Sequence, residues 1–206
     1  KALNEVLSTI SDIVESHQGV VDKYNGDAVM ALFGVPIKGE TDTANAMSAL
    51  LEIIEALAKM DSRLSACVGI NTGVVVAGNL GSSNRMNYSV IGDTVNLAAR
   101  LESLTRLYNV SNIVSEASRD DAPDFIYREL DIVCVAGKSQ AIRIFELLGP
   151  QAELSAARKE ELAAFSGALK QYRAQNWDEA ELQFSQLQIK CDNRQHYQVC
   201  LEPIEV

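Results

Sequence analysis

The chain has 206 residues, of which 47% are hydrophobic and 22% are charged, and its formal net charge is −10. A chain of this length can bury its own hydrophobic core, so the composition predicts one main globular domain with an appendage. The acidic charge disfavours nucleic acid and anionic membranes as partners. No apolar run reaches the roughly 18 residues of a membrane span.

The cysteines and histidines do not form a recognisable metal or disulfide pattern. The two histidines and four cysteines have no zinc-site spacing and no CxxC pair. We therefore expect Cys67, Cys134, Cys191 and Cys200 to be buried or free thiols in a reducing compartment, with Cys134 as a small buried residue.

The first elements are a helix and a hairpin. Apolar residues at helical spacing from Leu3 to Val14 predict an amphipathic helix that ends near Gly19. Two β-prone runs at 20–21 and 28–33 follow, and Asn25-Gly26 between them is a strong hairpin signal because both residue types tolerate positive φ. The charged residues on either side of this bend are either ordinary turn-flanking charges or functional groups.

A second helix and a second hairpin follow. The helix is expected from the Thr41-Asp42 cap to about Met60. Continuous apolar runs at 66–69 and 74–78 predict strands that are covered by helices, and residues 79–85 are interpreted as a polar loop.

Another helix begins at Gly92-Asp93, with Asp93 or Thr94 as its expected cap. Asn96 and Arg100 are four residues apart, so they project from one face of this helix. Arginine offers a charged planar fork to phosphoryl oxygens, and asparagine can hold a ring oxygen or a hydroxyl. The alternative is a solvated helix flank that carries an incidental polar pair.

The rest of the chain predicts three strands, at 113–115, 127–133 and 142–148, and then a boundary at Gly149-Pro150. Two helices that resemble a single tetratricopeptide-type pair follow this boundary. One such pair cannot bury its own apolar face, so we expect it to pack on the main domain or on a partner.

Two long blocks carry a resemblance to a known family. VVDKYNGDAVMALFGVP (residues 20–36) and VGINTGVVVAGNLGSSNRMNYSVIGDTVNLAARLE (residues 68–102) resemble the most characteristic blocks of class III nucleotidyl cyclase catalytic domains, in particular those of bacterial adenylate cyclases. The resemblance covers residues 1–149 as the catalytic domain and leaves residues 150–206 as a helical tail.

The order helix, hairpin, helix, hairpin predicts an α/β fold, an α+β sandwich in which helices cover a largely antiparallel sheet. The resemblance implies the same architecture, with a ferredoxin-like sheet. It also implies an adenylate cyclase, a phosphorus-oxygen lyase that converts ATP to 3′,5′-cyclic AMP and pyrophosphate in signal transduction. The alternatives are a guanylate cyclase and a catalytically inactive nucleotide-binding or dimerisation module of the same fold.

The resemblance assigns roles to individual residues. Asp27 matches the second of two aspartates that hold a pair of magnesium or manganese ions. Lys23 matches the residue that recognises adenine at its ring nitrogen, and Ser89 matches the other base-reading position. Asn96 matches the residue that positions the ribose, and Arg100 matches the one that stabilises the pentacoordinate phosphorus. The combination of Lys23 and Ser89 favours ATP over GTP.

Two positions match the family less well. Lys138 is a weaker match to a lysine near the terminal phosphates. The first metal aspartate of the family lies on an N-terminal strand that this sequence does not contain, and Asp12 is rejected for that role because it lies on a predicted helix. We expect either about 40 preceding residues that carry the strand, from typical domain size, or a domain that cannot hold both metals.

In this family two domains meet head to tail and share their sites. The resemblance therefore implies a homodimer in which one protomer supplies Asp27 and its partner supplies Lys23, Ser89, Asn96 and Arg100. It also implies a cytoplasmic location, as the cytoplasmic part of a membrane-anchored bacterial sensor protein, with contact to the membrane only through segments outside this sequence.

Overall fold

A computed structural model of the chain describes residues 2–82, 85–134 and 141–190. Helices and strands alternate along these residues, and a short 3₁₀-helix follows the last strand. The helices are α1 (Ala2–Ser16), α2 (Asp42–Met60), α3 (Asp93–Tyr108), α4 (Glu116–Asp121), α5 (Ala156–Arg173) and α6 (Trp177–Lys190). The strands are β1 (Val20–Asn25), β2 (Ala28–Leu32), β3 (Val68–Ile70), β4 (Val76–Ser82), β5 (Arg85–Ile91), β6 (Asn112–Ser115), β7 (Phe125–Val133) and β8 (Ile142–Pro150).

The sheet pairing is largely antiparallel, as predicted. A four-stranded sheet has the order β3-β6-β8-β7, and β1-β2 and β4-β5 each form a two-stranded sheet. The β3-β6 pair is parallel, while the other strand pairs in the described residues are antiparallel. The predicted α/β architecture is therefore confirmed.

The β1-β2 hairpin forms where the sequence predicts it, but its turn lies one residue later. Asn25 pairs with Ala28, so the two turn residues are Gly26 and Asp27. Gly26 has a φ of 68°, and a glycine adopts this left-handed conformation without a steric penalty.

The predicted polar loop at 79–85 is wrong. β4 and β5 pair continuously from Val76↔Ile91 to Ser82↔Arg85, so most of this segment belongs to a long hairpin. Pairing in a two-stranded ribbon relies on backbone hydrogen bonds, and these form whether or not the side chains are apolar.

Helix α3 begins as expected but is capped differently. Its N-cap is Gly92, and no side chain caps it, so the predicted Asp93 or Thr94 cap is wrong. Thr94 Oγ1 instead donates to the carbonyl of Val74 at 2.9 Å, and Asn71 Nδ2 donates to the carbonyl of Thr94 at 3.0 Å. These bonds tie the segment before β4 to the start of α3.

The core consists of clusters of buried residues where helices cover strands. One cluster joins α3 to β6, β7 and β8, and a second joins α1, α2 and the β1-β2 hairpin. The buried residues of the first are Leu97, Leu101, Tyr108, Val110, Ile113, Leu130 and Ile144, and those of the second are Ile13, Val14, Ala49, Ile53 and Leu57.

The two predicted C-terminal helices are present as α5 and α6, and they share a small core around Phe165 and Phe184. Arg173 Nη1 lies 2.7 Å from Glu129 Oε1, and the guanidinium of Arg128 lies 5.5 Å from the Phe165 ring centroid. The helix pair therefore packs on β7 of the main domain, as expected for a single pair that cannot bury its own apolar face. Its tetratricopeptide-type assignment stays a prediction.

The described cysteines and helices bear on two further expectations. Cys67 and Cys134 are free and exposed, so the prediction that Cys134 is buried is wrong. Cys134 directly follows the last residue of β7, where the chain leaves the sheet. Across the described ranges, no helix is both long and apolar enough to cross a membrane.

Candidate functional site

The two residues predicted to read the nucleobase contact each other. Lys23 on β1 and Ser89 on β5 are 66 residues apart, and Lys23 Nζ donates to Ser89 Oγ at 3.3 Å. Ser89 is 7% exposed, whereas the Lys23 side chain is 44% exposed. The fold thus places a buried hydroxyl next to a cation that a ligand can reach.

Asp22 is a third member of this cluster, and the motifs in the sequence did not predict it. Its Oδ2 accepts a hydrogen bond from Ser89 Oγ at 2.9 Å and lies 3.2 Å from Lys23 Nζ. The Asp22 side chain is only 1% exposed. A buried carboxylate is stabilised by such partners, because an unpaired one would have a large desolvation penalty.

A bulge in β1 brings Asp22 and Lys23 to the same hydroxyl. Val21 pairs with Ala31 and Lys23 pairs with Met30, so Asp22 has no partner of its own in the hairpin register. Neighbouring side chains of a regular strand point to opposite faces, and a bulge changes this alternation. Both charged side chains can therefore reach Ser89.

Space is available beside the cluster. Ser89 pairs with Gly78 on β4, and a Cβ added at Gly78 would meet no atom within 4 Å. Facing positions of an antiparallel pair project from the same side of the sheet. A glycine at position 78 therefore leaves the surface next to Ser89 open to a planar ligand.

The predicted ribose and phosphate residues lie on the first half of α3. Asn96 is exposed and Arg100 is partly buried, one helical turn further along. Arg100 has an interaction of its own within the protein. The ties from Asn71 and Thr94 hold the start of this helix, so the pair is presented from a rigid element.

Asp27 is exposed in the β1-β2 turn, and its side chain makes no hydrogen bond or ion pair with the residues that the structure describes. Its oxygens are therefore available to a cation. Magnesium commonly binds one or two carboxylates together with substrate phosphates. Asp27 fits one such ligand position, but the described residues include no group of three or more His, Cys, Asp or Glu that could hold a metal by themselves.

The predicted site residues are thus brought together only in part. Lys23 and Ser89 are in contact, and Asn96 and Arg100 share one helix, but no contact joins Asp27 to either pair among the described residues. Lys138 lies outside the described residues. Asp22 was missed because a regular strand would turn it away from Lys23, and only its position next to Lys23 in the motif could have pointed to it.

A comparison with family models and curated proteins identifies related chains. The model described as the adenylate and guanylate cyclase catalytic domain matches residues 1–148. Adenylate cyclase 1 of Rhizobium meliloti is 31% identical over 156 residues, which are 71% of this chain and 24% of that protein. An adenylate cyclase of Anabaena cylindrica is 35% identical over 161 residues, 70% of this chain and 31% of that protein. The chain therefore spans about a quarter to a third of these relatives.

Solved structures of cyclases have the same fold. The adenylyl cyclase CyaB from P. aeruginosa superposes with a TM-score of 0.64 at 28% identity, covering 74% of this chain and 83% of that chain. The guanylyl cyclase Cya2 superposes with a TM-score of 0.61 at 29% identity, covering 72% and 79% of the two chains. Structures of both nucleotide specificities therefore resemble this one.

Proposed function

The chain belongs to the family of adenylate and guanylate cyclase catalytic domains, and from this premise we propose that it is an adenylate cyclase that converts ATP to 3′,5′-cyclic AMP and pyrophosphate. The contact between Lys23 and Ser89 is the observation that carries this choice. An ammonium group can only donate hydrogen bonds. Adenine has an acceptor at N1, whereas guanine has a hydrogen there, so the exposed Lys23 favours adenine.

The residues on α3 have complementary tasks in this reaction. The ribose 3′-hydroxyl attacks the α-phosphorus and pyrophosphate leaves. Asn96 holds the ribose so that this hydroxyl is aligned, and Arg100 stabilises the negative charge that develops on the phosphoryl oxygens. Both residues project from one stretch of α3, as this division of roles requires.

Asp27 would hold a divalent cation, magnesium or manganese, together with oxygens of the triphosphate. When bound, such ions lower the pKa of the attacking hydroxyl and neutralise the leaving phosphates. The two-ion arrangement of the family needs a second aspartate, and the described residues include no group of three or more His, Cys, Asp or Glu that could hold a metal.

We also propose that the active form is a homodimer in which one protomer supplies Asp27 and its partner supplies the base, ribose and phosphate residues. Apolar side chains are exposed on β4-β5 and just before it: Val74 is 91% exposed, and the paired residues Val76 and Ile91 are also exposed and share one face of the hairpin. An apolar group of this kind is typical of a protein-protein contact. We further propose that the domain acts in the cytoplasm, where ATP is available, as part of a bacterial signalling protein.

The test is cyclic nucleotide formation by the full-length protein with manganese, with ATP and GTP supplied separately. We expect cyclic AMP from ATP, and we expect Asp27→Ala to abolish it. Cyclic GMP as the main product would make the protein a guanylate cyclase. No product from a folded, dimeric protein would indicate a non-catalytic module of the same fold.

A further inference from the structure

The hydrogen bonds within the Asp22, Lys23 and Ser89 cluster have only one possible direction. A carboxylate accepts hydrogen bonds and an ammonium donates them. Ser89 Oγ lies 2.9 Å from Asp22 Oδ2 and 3.3 Å from Lys23 Nζ. The single hydroxyl hydrogen of Ser89 therefore points to Asp22, and Lys23 donates to one lone pair of Ser89.

This arrangement decides what the cluster offers to a ligand. With its hydrogen committed to Asp22, Ser89 presents only its second lone pair, which is an acceptor. Lys23 directs one N–H group to Ser89, and its ammonium nitrogen lies 3.2 Å from Asp22 Oδ2. The half-exposed ammonium therefore retains an N–H group that it can donate to a ligand. The cluster therefore presents one donor next to one acceptor.

We propose that Asp22 is a positioning residue that makes this site select adenine, an inference that rests on the proposed function. Adenine presents an acceptor at N1 and a donor at its 6-amino group, which complements the cluster. Guanine and hypoxanthine present a donor at N1 and an acceptor at O6. In the same pose, the Lys23 donor would face the N1 donor and the Ser89 acceptor would face the O6 acceptor, so neither hydrogen bond forms. Sites built this way discriminate strongly, because the wrong ligand leaves polar groups unpaired.

The burial of Asp22 makes the selection stringent. A Ser89 hydroxyl without this partner could rotate and donate to O6, which would relieve one of the two mismatched contacts. The Asp22 side chain is 1% exposed, so water has little access to compete for the Ser89 hydrogen. The bulge in β1 is what allows this carboxylate and Lys23 to converge on one hydroxyl.

The test is equilibrium binding of ATP and of inosine triphosphate to the full-length protein by titration calorimetry. Hypoxanthine has the N1–H and O6 of guanine without its 2-amino group, so it isolates the edge that the cluster reads. We expect Asp22→Ala to reduce the ratio of ATP affinity to inosine triphosphate affinity by about tenfold or more. Without Asp22, the Ser89 hydroxyl can donate to O6 of hypoxanthine, so one contact with the wrong base is no longer unsatisfied.

Two further variants separate positioning from general damage. Asp22→Asn is expected to keep most of the preference, because both contacts of Asp22 use Oδ2 and an amide oxygen can replace it. Asp12→Ala removes an exposed carboxylate from α1 and is expected to leave both affinities unchanged. If Asp22→Ala weakens the binding of both nucleotides equally, the inference is wrong and Asp22 has only a structural role.

Ser89→Ala provides a measurement that does not depend on the folding of an Asp22 variant. If Ser89 is only an acceptor, its removal weakens the binding of ATP and does not weaken the binding of inosine triphosphate, because O6 then no longer faces an acceptor. Equal weakening of both nucleotides would contradict the inference. A parent protein that binds ATP but forms no cyclic AMP would overturn the proposed activity, while the binding ratios would still decide the role of Asp22. A parent that binds neither nucleotide would overturn both.

Discussion

Arg100 is the residue of α3 on which turnover should depend most. It is partly buried on α3, one turn after Asn96, and its guanidinium is permanently charged with a planar set of donors. Such a group stabilises a transition state more than a ground state when charge develops next to it. Its removal should therefore affect kcat and not the binding of ATP.

We predict that Arg100→Ala lowers kcat by about 10²–10³, the range for loss of one preorganised donor to a developing oxyanion. ATP affinity should change little, and steady-state kinetics together with equilibrium binding would measure the two quantities. Arg106→Ala is the matched control on the same helix, because Arg106 is exposed and pairs only with Glu102 in the described contacts. A normal kcat in Arg100→Ala would remove the proposed role.

The positions of single site residues were predictable from the sequence where a motif of the family contains them. Lys23 and Ser89 come from separate motif blocks, and the structure places them in contact. Asp22 was not predictable, because its orientation depends on the bulge in the hairpin register. The direction of a side chain at a bulge is a property of the strand pair, and period-2 alternation does not contain it.

The contact of β3 with α3 is the element-scale feature that holds the α3 residues in place. A Cβ added at Gly69 would overlap the backbone carbonyl oxygen of Ala98 and the backbone nitrogen of Glu102. These are main-chain atoms of α3, so they cannot move aside as a flexible side chain would. Asn96 and Arg100 lie on the same stretch of helix.

We predict that Gly69→Ala destabilises the protein by about 1–3 kcal/mol, as overpacking of a tight contact does, and that it lowers turnover by displacing α3. Urea unfolding and cyclic AMP formation would measure these effects. Gly78→Ala is the control for stability, since its Cβ would meet open space. Equal stability of the two variants would show that α3 does not pack against Gly69 as closely as described.

Elements with strong periodicity were the predictable ones. Helix α2 spans Asp42–Met60, as its apolar stripe and its Thr41-Asp42 start predict. The long β4-β5 hairpin was not predicted, because the Gly, Ser and Asn residues around positions 79–85 have turn-like propensities. Backbone pairing overrides those propensities, and it cannot be predicted from the pattern of side chains.

At the scale of the whole molecule, the described site residues of one protomer do not form a single connected group. No described contact joins Asp27 to Lys23, Ser89, Asn96 or Arg100. The exposed pair Val76 and Ile91 on one face of β4-β5 offers an apolar surface for a second copy. In a head-to-tail dimer, the Asp27 of one protomer would meet the other residues of its partner, which completes two equivalent sites.

This arrangement predicts complementation between two inactive variants. Asp27→Ala and Arg100→Ala should each lose activity alone. When equal amounts are mixed and allowed to exchange subunits, about half of the dimers are mixed, and each mixed dimer has one intact site and one site that lacks both residues. We therefore expect about a quarter of the parent activity to return, measured as cyclic AMP formation after co-refolding.

Two further mixtures are controls. A mixture of Asp27→Ala with Lys23→Ala should recover activity to the same extent. A mixture of Lys23→Ala with Arg100→Ala should not, because one protomer supplies both of these residues to each site. If no pair recovers in a mixture shown to contain mixed dimers, the site lies within single protomers.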